Sequence, residues 1–356
     1  MDKLKDKINK NYFFEKENMK EMEGELNSFL NDYLPPNGPG TSLGIFLKGD
    51  TVLKLNHGFD NIKTKTPITS ETLFEMASCT KHFTAAAILL LQQEKALNLD
   101  DDIKKWFPEL KEYETHRPIL VSDLVYMMSG FPLVDLLEDG NSPESTNEDV
   151  LQVIVEDEPQ FKVGLKNNYS NADYNVLGTL VKRASKSSWS EYITQKIFTP
   201  LKMNTARALD KPRDFEFVQG YKKEKGIYKP VRNEIPYMYG DGNIFLTMND
   251  FEKWEKSLVD KTVLNDDLLK LAFTPGKRDS GKENDYAFGW TVDNDEEYGK
   301  VVSHEGGWDG TSTCITRYLD VGLTYSFFVN IDEYDIDKFS EKLESILFSY
   351  MVEEEL

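Results

Sequence analysis

Residues 78–91 read Ser-Cys-Thr-Lys-His-Phe-Thr-Ala-Ala-Ala-Ile-Leu-Leu-Leu. From Phe83 onward the stretch has no polar face. A helix through it, expected over about Ser78–Ala96, is therefore a core helix rather than a surface one. Upstream, an amphipathic helix is expected over 15–34, with Met19, Met22, Leu26, Phe29, Leu30 and Tyr33 at helical spacing. Pro35, Pro36, Gly38, Pro39 and Gly40 break it. Ser42–Lys48 and Thr51–His57 then flank Gly49-Asp50, which signals a hairpin. Downstream, residues 100–240 read as mostly helical, with candidates at Val121–Met128, Thr146–Val155, Ala172–Lys186 and Trp189–Ile197. Strand patterns return only after Gly240, at Ala287–Val292, Lys300–His304, Thr311–Tyr318 and Thr324–Ile331, followed by a helix over Ile336–Val352. Strands at both ends with helices between them imply one α/β (α+β) sheet domain, built from residues 1–103 and 240–356. An all-helical domain over 104–239 is inserted into it.

Composition narrows the function. Of 356 residues, 42 are Lys or Arg and 62 are Asp or Glu, a net charge of −20. So acidic a surface repels phosphate backbones and anionic lipid, and excludes nucleic acid and membrane surfaces as expected partners. The mean hydropathy is −0.52. The longest apolar run, Phe83–Leu91, is half the roughly 18 residues a membrane span requires. The N-terminal residues carry charge and no apolar core, so no export signal is read and a cytoplasmic location is expected. Cys79 and Cys314 are too few for a disulfide framework and are read as buried, reduced thiols. The acidic runs Asp100–Asp102, Asp293–Glu297 and Glu353–Glu355 are read as solvated faces and an exposed tail.

Three short motifs carry chemistry. In Ser78-Cys79-Thr80-Lys81, residues i and i+3 share a helical face, so the lysine amine can reach the serine hydroxyl. The helix N-terminus adds free N–H groups and positive partial charge, which favour a developing oxyanion. Burial beside Phe74, Met76 and Phe83 would lower the lysine pKa and let it accept a proton. In Tyr169-Ser170-Asn171, a phenol can relay a proton, and an amide can orient a carbonyl or hold the lysine. In His304-Glu305-Gly306-Gly307-Trp308, glycines admit a ligand close to a strand edge whose N–H can donate to an oxyanion. His304 could supply positive charge or a proton at the leaving group. Trp308 and Tyr239 are candidate pocket aromatics. His57, His82, His116 and His304 show no metal-ligand spacing, so neither metal nor organic cofactor is expected. His-Glu-x-x-His, Cys-x-x-Cys, Gly-x-Ser-x-Gly and phosphate-loop patterns are absent.

Taken in order, these motifs resemble the serine β-lactamase and penicillin-binding-protein superfamily, in particular its class C-like branch of β-lactamases, D,D-peptidases, D-aminopeptidases and esterases. Leu73–Ser78, Val121–Phe131, Tyr169–Gly178, Pro200–Met203, Tyr239–Asn243 and Phe288–Trp290 are similar to that family as well. The resemblance spans roughly residues 40–335. It implies a mainly antiparallel sheet flanked by helices, with the site in the cleft between sheet and helical domains. It also implies Ser78 as nucleophile, Lys81 as proton acceptor and Tyr169 as proton relay. Asn171 would bind the substrate amide or position Lys81. His304 and Gly306 would open and close the triplet, and the N–H groups of Ser78 and Gly307 would form the oxyanion hole. The family's lactamases usually carry lysine where this chain has His304, and a neutral histidine holds a carboxylate less firmly. An ester or small peptide, including one with a D-residue, is therefore expected ahead of a lactam. The alternatives are a β-lactamase or D-alanyl-D-alanine carboxypeptidase, an acyltransferase, and a non-catalytic binding protein. The sequence leaves the oligomeric state open.

Overall fold

The computed structural model describes residues 10–355 apart from 112, 114, 135–143 and 232–236. The first nine residues, part of the N-terminal segment read as lacking an export signal, lie outside the described residues.

Strand β1 (Lys10–Phe14) leads into α1 (Met19–Tyr33), whose buried Met22, Leu26, Phe29 and Leu30 form one apolar stripe. Leu34 caps the helix, and the prolines after it cannot continue the hydrogen-bond ladder. β2 (Thr41–Leu47) and β3 (Asp50–His57) form the expected hairpin. A short 3₁₀ turn, Ala77–Thr80, runs straight into α2 (Lys81–Gln93), which is buried from Lys81 to Leu91. The core helix is thus shorter than Ser78–Ala96, and its nucleophile candidate sits in the tighter turn. Then come α3 (Val121–Val125), α4 (Asn147–Glu156), α5 (Asn171–Ser185) and α6 (Trp189–Ile193). The Trp189–Ile197 pattern divides into α6 and a π-helical turn, Thr194–Phe198. A hairpin, Tyr221–Glu224 with Ile227–Pro230, adds β-structure to a region read as wholly helical. α7 (Met248–Asp260) returns to the sheet.

β4 (Thr291–Asp295), β5 (Gly299–Trp308), β6 (Thr311–Tyr318) and β7 (Leu323–Val329) complete it. The six strands run antiparallel in the order β4-β5-β6-β7-β2-β3, so the two ends of the sequence meet where β7 pairs with β2. Both faces are covered, which is why β6 and β7 are buried throughout instead of alternating. On one face Leu43, Ile45, Tyr325 and Phe327 pack with α1 and with α8 (Ile336–Tyr350). On the other, Phe46, Val302, Ile315 and Phe328 join α2 and α7. Ile45 and Phe46, adjacent in β2, serve opposite faces because side chains alternate along a strand; the pairing with β3 shifts register between them. The acidic run Glu353–Glu355 is not a free tail. It lies in β8 (Met351–Glu355), which pairs with β1. No described helix is long and apolar enough to cross a membrane.

α2 and α5 cross in the core beneath the sheet. The first turn of α5 carries Asp173, fully buried, with the Ser129 hydroxyl donating to its Oδ1 at 2.5 Å. Burial pushes this carboxyl up from 3.8 to about 8. Between those values the folded chain holds a proton that the unfolded chain releases, so stability falls as pH rises through that window. One such group contributes a slope of at most roughly 1.4 kcal/mol per pH unit. Asp173→Asn keeps the shape without the charge. Its thermal midpoint, followed from pH 5 to 9 by circular dichroism, is expected to decline less steeply than that of the parent chain.

Candidate active site

Lys81 organises the site. Its side chain has no exposed surface, and a buried amine needs hydrogen-bond acceptors. Three segments supply them: Ser78 Oγ at 2.9 Å, Asn171 Oδ1 at 2.9 Å and the Asp241 carbonyl at 3.1 Å. The serine is one turn back along the chain, the asparagine opens α5, and Asp241 belongs to the loop before the short strand Ile244–Leu246. Of the two roles expected for Asn171, the geometry matches holding the lysine.

The third acceptor depends on close backbone packing. A Cβ on Gly178 would lie 2.9 Å from the Tyr239 carbonyl, and one on Gly240 only 2.3 Å from the Tyr174 carbonyl. Gly240 also has a φ of +102°, a region side-chain-bearing residues rarely occupy. These two glycines let the 239–241 loop lie against α5. Thr84, one turn after Lys81 on α2, donates to the Gly240 carbonyl at 2.7 Å and secures the same loop.

The nucleophile turn is clamped to the strand beyond that loop. The Met76 N–H donates to the Ile244 carbonyl at 2.8 Å, and the Ile244 N–H donates to Thr80 Oγ1 at 3.1 Å. Ala77, just before Ser78, has a φ of +46°, a left-handed conformation that costs a residue with a Cβ about 1–3 kcal/mol. Glu75, 2% exposed, accepts the Ala77 N–H at 2.6 Å and the Asn243 N–H at 3.1 Å.

β5 forms the opposite wall. Its pairing with β4 stops at Ser303, so His304–Trp308 has β6 on one side and, among the described residues, no strand on the other. The nucleophile turn packs against this part of the strand. A Cβ on Gly306 would lie 2.4 Å from Thr313 Oγ1 and 2.6 Å from the Met76 carbonyl. At Gly307 a Cβ would meet nothing within 4 Å. Cys79 points inward and donates to the His304 carbonyl at 3.2 Å, and burial raises its thiol pKa, so it stays an unreactive thiol at the site's edge.

His304 differs from its expected role. It is 5% exposed, and burial together with the nearby Lys81 charge lowers its pKa to about 3. Nδ1 lies 2.6 Å from the Glu305 carbonyl, which can only accept, so Nδ1 carries the proton. Nε2 then accepts from the Tyr286 hydroxyl at 2.9 Å. A neutral ring with both nitrogens engaged offers neither positive charge nor a spare proton, so this geometry does not support that role.

Tyr169 is half-exposed, with its ring centroid 5.0 Å from Lys81 Nζ and 6.0 Å from that of His304. Its hydroxyl has no hydrogen-bond partner among the described residues. Trp308 shares the His304–Gly306 face of β5 and packs beside Leu209 and Phe245. Tyr239 does not line the cleft. It is 5% exposed and stacks on Trp189 at 5.5 Å, and its contribution to the site is through its backbone.

Sequence reasoning assigned no role to Glu75, Asp241 or Tyr286. A carboxylate inside the apolar run Leu73–Ala77 was a usable signal for Glu75. Asp241 acts through its carbonyl and Tyr286 through tertiary contact, and neither leaves a pattern. Among the described residues, no group of three His, Cys, Asp or Glu side chains could hold a metal ion.

Comparison with known proteins gives a consistent picture. A family model described as Beta-lactamase matches residues 35–342. The chain is 27% identical over 304 residues to penicillin-binding protein 4* of Bacillus subtilis (strain 168), covering 80% of this chain and 66% of that protein. It is 31% identical over 291 residues to protein flp of Staphylococcus aureus (strain MRSA252), covering 78% of this chain and 56% of that protein. The chain therefore spans about two thirds or less of the length of these curated relatives. Among solved structures, D-amino acid amidase from Ochrobactrum anthropi SV3 superposes with a TM-score of 0.77 at 20% identity, covering 92% of this chain and 99% of that one. At that identity the likeness speaks for the fold.

The His304 assignment has a direct spectroscopic test. In ¹⁵N-labelled protein the imidazole is expected to stay neutral, protonated at Nδ1, from pH 8 down to about pH 4. A midpoint near the ordinary 6.5 in ¹H–¹⁵N imidazole spectra would contradict it.

Proposed function

The chain belongs to the beta-lactamase family, and from that premise we propose that it is a serine hydrolase that works through an acyl-enzyme. The observation that carries this reading is the contact between Lys81 Nζ and Ser78 Oγ at 2.9 Å, inside a pocket that also fixes the lysine from two other sides.

In the reacting form Lys81 is the neutral amine, its two N–H groups donating to Asn171 Oδ1 and the Asp241 carbonyl and its lone pair turned to Ser78. The Ser78 hydroxyl attacks the substrate carbonyl and its proton passes to that amine, with the Tyr169 phenol beside it as relay. The new C–O bond makes a tetrahedral oxyanion, which the backbone N–H groups of Ser78 and Gly307 stabilise. In comparable sites one such donor is worth about 3–4 kcal/mol. The C–N or C–O bond to the leaving group then breaks, and that amine or alcohol takes the proton back from the Lys81–Tyr169 pair. Water, deprotonated by the same pair, attacks the Ser78 ester, releases the acid and restores the hydroxyl. His304 and Tyr286 support the wall of the cleft in this scheme and transfer no proton.

The neutral His304 bears on the substrate. A carboxylate next to the scissile bond, as in a lactam or a C-terminal D-alanine, is best held by a full positive charge, and His304 at the head of the triplet carries none. An uncharged acyl group, an ester or an amide, fits better. The neighbour described as a D-amino acid amidase supports including amides of D-residues.

Turnover of p-nitrophenyl acetate and D-Ala p-nitroanilide is expected to exceed that of nitrocefin. Fast nitrocefin hydrolysis with no esterase activity would reverse the substrate preference. Intact-mass spectrometry after a fluorophosphonate should show one adduct, absent in Ser78→Ala, and Lys81→Ala is expected to slow acylation by about 10²–10⁴-fold. No adduct under any condition would exclude the mechanism.

A further inference from the structure

Glu75 lies behind the nucleophile, out of reach of substrate, and touches both halves of the machinery. Its Oε2 accepts the N–H of Ala77, the residue before Ser78, and its Oε1 accepts the N–H of Asn243, two residues after Asp241. Asp241 in turn holds Lys81 by its carbonyl. Both residues that donate to Glu75 have left-handed backbones, φ +46° at Ala77 and +76° at Asn243. Neither is glycine, so both conformations need outside support. Resting on the hydrolase reading above, we propose that Glu75 is a positioning residue whose ionised carboxylate sets Ser78 and Lys81 in register, and that its protonation switches acylation down.

The chemistry follows from donor count. An ionised carboxylate accepts at both oxygens. A protonated one turns an oxygen into a hydroxyl facing an N–H, and one of the two backbone segments loses its anchor. Burial raises the Glu75 pKa from 4.5 to about 7, with the Asp241 carboxylate raising it further and the Lys81 charge and the two N–H groups opposing. Cys79, on the same turn, contributes no charge because burial keeps it a thiol. The switch therefore falls in the neutral range, where the unfolded chain would show none.

The test is the acylation rate of the full chain by p-nitrophenyl acetate from pH 5.5 to 9, with thermal midpoints recorded in parallel. The parent chain is expected to speed up about tenfold from pH 6 to 8. Glu75→Gln, which can accept only one N–H, should react at the parent's pH 6 rate throughout, and Glu75→Asp should restore part of the pH-dependent limb. A Glu75→Gln chain that keeps the limb, or is slowed equally at every pH, overturns the proposal. A second measurement is free of activity: a ¹³C-carboxyl titration of Glu75 in Ser78→Ala. A midpoint near 7, with the Ala77 amide shifting in step, supports the proposal even if Glu75→Gln fails to fold, and a midpoint near 4.5 overturns it. A parent chain that never acylates defeats the hydrolase reading and this inference with it, whereas normal acylation with a pH-insensitive Glu75 defeats the inference alone.

Discussion

A lysine without exposed surface must be met by acceptors on every side or it will not stay buried. In this molecule that requirement draws distant parts of the chain together. Ser78, Asn171 and the Asp241 carbonyl belong to a turn, a helix start and a loop that no local rule would join, and each ends on the same nitrogen. Much of the remaining architecture serves those three contacts: Thr84 and the Gly178–Gly240 packing hold the loop, and the strand Ile244–Leu246 holds the turn.

Much of this framework is main chain. The carbonyls of Asp241, Glu305 and His304 accept from Lys81, His304 and Cys79, and the N–H groups of Ala77 and Asn243 donate to Glu75. Backbone groups have few degrees of freedom once a sheet and a helix fix them, so they hold reactive side chains at low entropic cost. The same property explains the left-handed residues around the nucleophile. Conformations unfavourable in isolation persist where the surroundings over-determine them.

How much of this could be read from the sequence depends on what each feature leaves behind. The core helix, the terminal sheet halves and the helical middle were legible because their apolar spacing is periodic. Ser78, Lys81 and Asn171 were legible because their chemistry needs fixed spacings. The C-terminal acidic run is exposed as read at Glu353 and Glu354, but its backbone is a strand paired with β1, which a run of glutamates does not signal. The strand expected at Ala287 begins only at Thr291, after Gly289 and Trp290 have packed against the start of α2. His304 had the right position and the wrong charge, because its burial and its bond to Tyr286 arise only in three dimensions. Tyr239 reads as a pocket aromatic beside a glycine-rich loop, yet its ring turns into the core against Trp189.

The pairing of β2 with β7 has a consequence for biogenesis. Thr41 Oγ1 and the Phe328 carbonyl, hydrogen-bonded in the finished sheet, are 287 positions apart. At a ribosomal speed of about 5–20 residues per second, the β2–β3 hairpin waits roughly 15–60 s for its neighbour. Throughout that interval the β2 edge that β7 will occupy has no native partner, although α2 and α7, which lie earlier in the sequence than β7, are available before it to cover the apolar underside. The inserted helical region can settle by local contacts in the meantime. A nascent chain of this topology therefore spends most of its synthesis with its sheet half-built, the stage at which chaperone capture or strand-swapping between neighbouring ribosomes would compete with completion.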